Sequence, residues 1–153
     1  METSRPAVRR ATAVDVALVA PLFALYREFY GKPYDEPAAA AFLRDRLHRD
    51  ESVVLLAEPA GGAPVGFVQL YPGFESLSLA PTWILNDLYV LATARGQGVA
   101  AALMEHAERL AREAGAVSLT LETAHDNLVA QRLYERQGYR VEDQYRHYEK
   151  ELS

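Results

Sequence analysis

Asn86 and Asp87 stand side by side inside the apolar stretch WILNDLYVL, residues 83–91. A carboxylate among Ile, Leu, Tyr and Val can accept or hold a proton where water is scarce. Just downstream, Arg95-Gly96-Gln97-Gly98 precedes the alanine-rich VAAALM. A helix starting there leaves its first N–H groups unpaired, and its dipole adds partial positive charge. Glycines clear side chains from the approach and permit unusual backbone angles. Arg95 adds a full charge, and Ala100, Ala101 and Ala102 keep the first turn slim. Together these residue types suit an anion, above all a diphosphate. They equally suit a plain strand-to-helix turn, and the turn alone does not choose. Farther on, Tyr134 offers a phenol, with a pKa of ~10, that can hydrogen-bond to and protonate a group of similar basicity. LYERQGY is also what an aromatic packed at a helix end looks like.

The chain that must position these groups has 153 residues, half of them apolar, which bounds it to one domain over 1–153 with a proper core. A net charge of −5 and a pI of about 5.4 disfavour nucleic acid and anionic membranes as partners. The absence of cysteine excludes disulfides, thiolate zinc sites and a covalent Cys nucleophile, and fits a reducing cytoplasm. The apolar run VALVAPLFALY, 16–26, is too short to span a bilayer and carries Pro21. No small-residue cleavage site follows it, so a cytoplasmic protein is expected. The four histidines show no metal spacing, and no metal is expected.

Strand and helix signals alternate along the chain, with no internal repeat. A strand is expected at 7–12. A helix follows from a capping box on Thr12 and Asp15 to about Tyr30, with Val14, Leu18, Leu22, Leu25 and Phe29 on one face. A second helix covers roughly 36–50. Strands at 52–58 and 65–71 flank a Gly-rich turn, and a loop holding Pro72, Gly73 and Pro81 leads to the strand at 83–91. A helix over 98–114, a strand at 118–124, a short helix at 127–137 and two strands within 139–152 complete the order β-α-α-β-β-β-α-β-α-β-β. That is an α/β (α+β) domain, and its three consecutive central strands exclude a simple doubly wound sheet.

Gly96, Gly98 and Ala101 also fit the dinucleotide pattern G-x-G-x-x-A, with Glu122 where a ribose-binding acid would sit. Against it, Ala92 to Arg95 separate the glycines from the strand, and only one further βα unit remains. The combined pattern instead resembles the GNAT superfamily of N-acetyltransferases. LNDLYV (85–90), RGQGVA (95–100) matching R/Q-x-x-G-x-G/A, then Asn127, Leu133-Tyr134 and Gly138-Tyr139 follow in the family's order. The first of these segments and the Tyr26–Tyr30 helix look most like the polyamine, Hpa-type small-amine branch.

The resemblance implies a GNAT fold: a mixed, mostly antiparallel twisted sheet of about six or seven strands with four helices. It implies acetyl-CoA as donor and a primary amine of a small molecule or peptide as acceptor. It places the pyrophosphate on the backbone amides of Gly96, Gln97, Gly98, Val99 and Ala100, with Arg95 and Ala101 beside them as cofactor-binding residues. It pairs the pantetheine arm with the main chain of Leu88, Tyr89 and Val90, gives Asn127 a contact near the acetyl end, and sets Tyr134 beside the sulfur. The oxyanion donor by the same pattern is the Val90 N–H.

Amine attack requires a neutral nucleophile, and an alkyl ammonium has a pKa of roughly 10.4, so some group must take its proton. Related polyamine enzymes often carry Glu where Asn86 stands, and an amide cannot act as base. Candidate substitutes are Asp87, Glu75, Glu28 and a water chain; Asp87 is the one favoured at the catalytic and substrate site, although ordinary strand alternation would turn it to the face opposite Asn86. It equally suits an acid capping the turn or pairing with an arginine. Tyr26, Tyr30, Glu75, Trp83 and Asn86 are the candidates for substrate binding. Tyr26 and Tyr30 share a helical face that could hold an ammonium by cation–π contact or simply pack. Without cysteine, direct attack in a ternary complex is expected over a ping-pong route. The missing Glu motivates the alternative of a non-catalytic acyl-CoA-binding sensor. The YRHYEKEL segment at the C-terminus is expected to be an edge strand pairing across a homodimer.

Overall fold

The computed structural model describes residues 5–153, which form two compact units divided between Glu122 and Thr123. The first unit runs β1 (Ala7–Arg10), α1 (Val16–Phe29), α2 (Glu36–His48), β2 (Val53–Glu58), β3 (Gly66–Glu75), β4 (Ala80–Val90), α3 (Val99–Glu113) and β5 (Leu119–Thr120). Its sheet has the order β1-β2-β3-β4-β5, antiparallel throughout except for the parallel β4–β5 pair. The second unit holds α4 (Leu128–Arg136). This is a mixed α/β fold with a mostly antiparallel sheet, as the resemblance implies, with five strands and four α-helices among the described residues.

β2 is buried from Val53 to Ala57 because both faces of the sheet are covered. Val54, Leu56 and Phe67 face the core made by Val19, Ala20 and Phe23 of α1 with Ala39 and Leu43 of α2. The alternate residues face α3. There Gly66 permits close approach: a Cβ would sit 3.1 Å from the Tyr89 carbonyl oxygen and Val99 Cγ1 and 3.3 Å from Leu103 Cδ1, so these neighbours would have to give by a few tenths of an ångström. The first turn of α3 is thereby seated directly on β3.

Four expectations are corrected. The buried face of α1 is Val16, Val19, Ala20, Leu22, Phe23 and Ala24, whereas Val14 is 89% exposed and Leu18 and Phe29 also face solvent. Val14 falls in the 3-10 turn Ala13–Asp15, and the helix is apolar nearly all round, so periodicity alone could not pick its inner face.

The supposed loop at Pro72, Gly73 and Pro81 is instead paired strand, Pro72 opposite Trp83 and Phe74 opposite Pro81. Trp83 N–H donates to the Ser118 carbonyl, so its partner Pro72 faces away from β4, on the side where β2 has already ended at Leu70. The Pro81 carbonyl accepts from Val117 N–H, so Pro81 likewise faces away from β3. Neither proline's missing N–H interrupts the ladder.

β5 is two residues long rather than seven. Residues 140–153 form neither helix nor strand, so the sheet has five strands and not six or seven. The aromatic-polar alternation of YRHYEKEL gives strand propensity, but a strand needs a ladder partner, and the second unit offers none of its own.

The start of α1 follows the sequence. Thr12 N–H donates to Asp15 Oδ2 at 2.8 Å, and Arg9 grips the same carboxylate through both terminal nitrogens, at 2.9 and 3.1 Å. The Arg9 guanidinium, outweighing partial burial, holds the Asp15 carboxyl below the usual range. A depressed folded-state pKa contributes stability that is present above the unfolded value and lost as pH falls through the folded one. Asp15→Asn should therefore cost about 1–2 kcal/mol at pH 7, the size of a lost helix cap. Urea unfolding should show the gap to the parent closing in acid; a gap independent of pH would contradict this account.

Candidate functional site

In the β3–β4 ladder Leu70 pairs with Leu85 and Gln69 with Asp87, which leaves Asn86 without a partner. Asn86 is the extra residue of a β-bulge. Below it Trp83 and Leu85 lie opposite Pro72 and Leu70, on the α3 face. Above it Asp87 and Tyr89 lie opposite Gln69 and Phe67, on the α1/α2 face. The bulge thus corrects the expectation that Asn86 and Asp87 point to opposite faces: Asn86 Nδ2 donates to Asp87 Oδ1 at 3.2 Å.

Asp87 is 5% exposed. Gln69 Nε2 donates to its Oδ2 at 2.8 Å, and the Tyr26 hydroxyl adds a further hydrogen bond. Burial pushes the Asp87 carboxyl up, and these three donors pull it partly back. Tyr71, on the same face of β3, is driven up to about 12 by burial and by the nearby Asp87 charge. It stays a phenol at any working pH.

Tyr26 comes from α1 and closes this group. Its single hydroxyl proton is shared between Asp87 and the Asn86 carbonyl, 3.3 Å away, and its ring packs on Phe67. Tyr30 leans on Tyr26 with ring centroids 4.9 Å apart and is half exposed. Asn86, Asp87, Tyr26 and Tyr30 are therefore gathered at the bulge. Trp83 and Glu75 are not. Trp83 turns to the α3 face, where with Leu110 and Glu113 it lines a cavity of about 410 Å³. Glu75 ends the ladder opposite Ala80, about 20 Å along the strand from Gln69 at roughly 3.3 Å per residue.

The second edge of β4 opens at the same place. β5 pairs only with Trp83 and Ile84, so among the described residues of the first unit β4 has no strand neighbour on that side beyond them. Leu91 N–H donates to the Val65 carbonyl, so by alternation Leu88 and Val90 direct their main-chain groups to the open edge. Arg95 Nε donates to the Val90 carbonyl at 3.0 Å, and its guanidinium sits over the Tyr89 ring at 5.7 Å. Arg95 ties the turn to the end of β4 besides adding charge. Gly96 and Gly98 have φ of +76° and +79°, and a Cβ on either would meet nothing within 4 Å. Their need for glycine is conformational, and the space before them is open. The α3 ladder begins with Ala102 N–H on the Gly98 carbonyl, so the N–H groups of Val99, Ala100 and Ala101 precede it. Gln97 Nε2 reaches the Thr93 carbonyl at 3.4 Å. A strand edge leading to a slim, open helix start has the features a pantetheine arm and a diphosphate require.

In the second unit, Asn127 Oδ1 accepts from Ala130 N–H at 3.2 Å and caps α4. Tyr134 lies in that helix, with its ring 6.3 Å from Tyr139 across the turn at Gly138. Gln69 and Tyr71 escaped the sequence reading. The available signal was a glutamine inside GFVQLY, a run whose other residues through Leu70 are buried. Among the described residues no group of three or more His, Asp or Glu could hold a metal, and no helix is long and apolar enough to cross a membrane.

Comparison with known proteins agrees with this geometry. The model of the acetyltransferase (GNAT) family matches residues 19–139. The uncharacterized N-acetyltransferase YhfO of Bacillus subtilis (strain 168) is 45% identical over 92% of this chain and 94% of its own. The L-2,4-diaminobutyric acid acetyltransferase of Streptomyces coelicolor is 38% identical over 53% of this chain and 49% of its own. A crystal structure described as a probable acetyltransferase superposes with a TM-score of 0.91 at 44% identity, covering 96% of this chain and 98% of the other. The chain belongs to the acetyltransferase (GNAT) family and is an enzyme of the N-acetyltransferase type.

Proposed function

We propose that this enzyme transfers an acetyl group from acetyl-CoA to a primary amine of a small, polyamine-like or amino-acid-like molecule, or of a peptide, by direct attack in a ternary complex. The observation that carries the reading is the opening of the β4 edge at the bulge, in line with the glycine turn and beside a buried carboxylate. When bound, acetyl-CoA supplies an acyl thioester already activated toward an amine. The residues that hold it are the N–H groups from Gly96 to Ala101 and the outward main chain of Leu88 and Val90. Val90 N–H is the donor for developing negative charge on the acyl oxygen. Asn127, by family resemblance, contacts the acetyl end, and Tyr134 donates the proton that the sulfur needs.

On the acceptor side, Asn86 presents an amide that cannot take a proton. Asp87 takes that part, held by Gln69, Asn86 and Tyr26, with its carboxyl pushed up by burial. The aromatic pair Tyr26 and Tyr30 provides a wall for an alkylammonium. The diaminobutyrate specificity named for one relative supports an amine carried on a small amino acid. The finer kinship to the polyamine branch, a cytoplasmic location and a homodimer belong to the same reading. Asn86 at the bulge also favours a second reading, an acyl-CoA-binding sensor that binds without turnover.

Gly98→Ala forces a side chain into a left-handed backbone position. Calorimetry should show CoA binding weakened about tenfold with the fold intact; unchanged affinity would remove the turn from the cofactor site. Tyr134→Phe should lower kcat by roughly 10²-fold, within the range for a lost general acid, with CoA affinity preserved. An unchanged kcat would remove Tyr134 from that role. For Asp87 the pH profile decides. A base works only when ionised, so kcat/KM should fall as acid protonates it, with a midpoint above the ordinary ~3.9 because burial raises the carboxyl. Asp87→Asn should abolish that acid limb and cost roughly 10²-fold or more in kcat; a variant that keeps the limb would assign it to another group.

A further inference from the structure

Gln69 lies directly opposite Asp87, in the first β3–β4 pair beyond the bulge. It is completely buried, between Val68 and Leu70. A buried carboxamide is costly unless both ends are paired, and a leucine or methionine would fill the same space more cheaply. Only one end is paired. Nε2 donates to Asp87 Oδ2 at 2.8 Å, while Oε1 is buried with no hydrogen-bond partner among the described residues. Rotating the amide would not relieve this, because it would set Oε1 against the carboxylate oxygen. The orientation is therefore dictated by a carboxylate that needs a donor, at the expense of the amide's own carbonyl.

The second oxygen of Asp87 is held separately by Asn86 Nδ2 at 3.2 Å. Each oxygen of Asp87 thus has its own fixed donor. The other groups turned toward it are Tyr26 from α1 and Tyr71 from β3, with Arg46 of α2 acting on Tyr71 from beyond it. Arg46 is itself paired with Glu51 at 3.2 Å. Among the described residues Arg46 makes no hydrogen bond or ion pair with Asp87, and the donors that do face the carboxylate, Gln69, Asn86 and Tyr26, are all neutral.

Building on the acceptor role given to Asp87 above, we propose that Gln69 is a positioning residue: from the neighbouring strand it fixes Asp87 Oδ2 and keeps the buried carboxylate ionised and ready to take the amine's proton. Gln69 is fully buried and touches no substrate, so its action is through Asp87.

The test is a carbon-13 NMR titration of the aspartate side chains, with the Asp87 signal assigned by its loss in Asp87→Asn. It needs neither acetyl-CoA nor an amine, so it stands even if the transfer reading fails. Gln69→Leu removes the donor and should move the Asp87 midpoint to higher pH by about one unit, the scale of one lost hydrogen bond to a carboxylate. In turnover, the acid limb of kcat/KM should move by the same amount, with KM for acetyl-CoA unchanged. Should Gln69→Leu fail to fold, Gln69→Met keeps the chain length, lacks the donor and carries the same readout. A folded variant whose Asp87 midpoint stays in place, or moves to lower pH, overturns the proposal and leaves Gln69 a packing residue.

Discussion

One extra residue in β4 governs the arrangement of the site. Without the bulge at Asn86, strand alternation would place Asp87 on the α3 face beside Leu85, and Gln69 would have no carboxylate opposite it. With it, the side-chain pattern of β4 changes face partway along. The lower half packs Trp83 and Leu85 under α3, and the upper half delivers Asp87 and Tyr89 to α1 and α2. Asn86, displaced between the halves, is left exposed with its amide on Asp87.

A charged group at this depth must be compensated, and the donors come from three elements: Gln69 of β3, Asn86 of β4 and Tyr26 of α1. Tyr26 is fixed in turn by ring contacts with Phe23 and Phe67, which belong to the main core. The proposed acceptor side is thus anchored in the main core. The turn proposed for the cofactor is anchored from the other face, where Gly66 lets Val99 and Leu103 of α3 approach the sheet. Arg95 closes the connection by binding the Val90 carbonyl.

Much of this was legible in the residues, for identifiable reasons. The glycine turn, the alanine helix behind it and the Asp35 and Gly98 boundaries follow from local backbone rules, so LNDLYV and RGQGVA pointed to the right family before any contact was known. The bulge was not legible, because nothing in the identity of Asn86 marks a register shift that two strands define jointly. The Asn86–Asp87 hydrogen bond and the part of Gln69 were lost with it. The α1 face misled because apolar residues surround that helix, and the C-terminal strands because propensity was read without a pairing partner. Glu75 and Trp83 were grouped with the tyrosines by residue type, whereas register sends one to the far end of the hairpin and the other to the opposite face.

The central claim is that the bulge joins a cofactor edge to an acceptor site that performs transfer. The measurement that tests it most directly is thiol release from acetyl-CoA by the purified protein, across a panel of polyamines, diamino acids, amino acids, aminoglycosides and lysine peptides. The account predicts amine-dependent thiol release with at least one small primary amine, and N-acetylated product by mass spectrometry. Tight CoA binding with no thiol release above background on any amine of the panel would contradict it and favour the sensor.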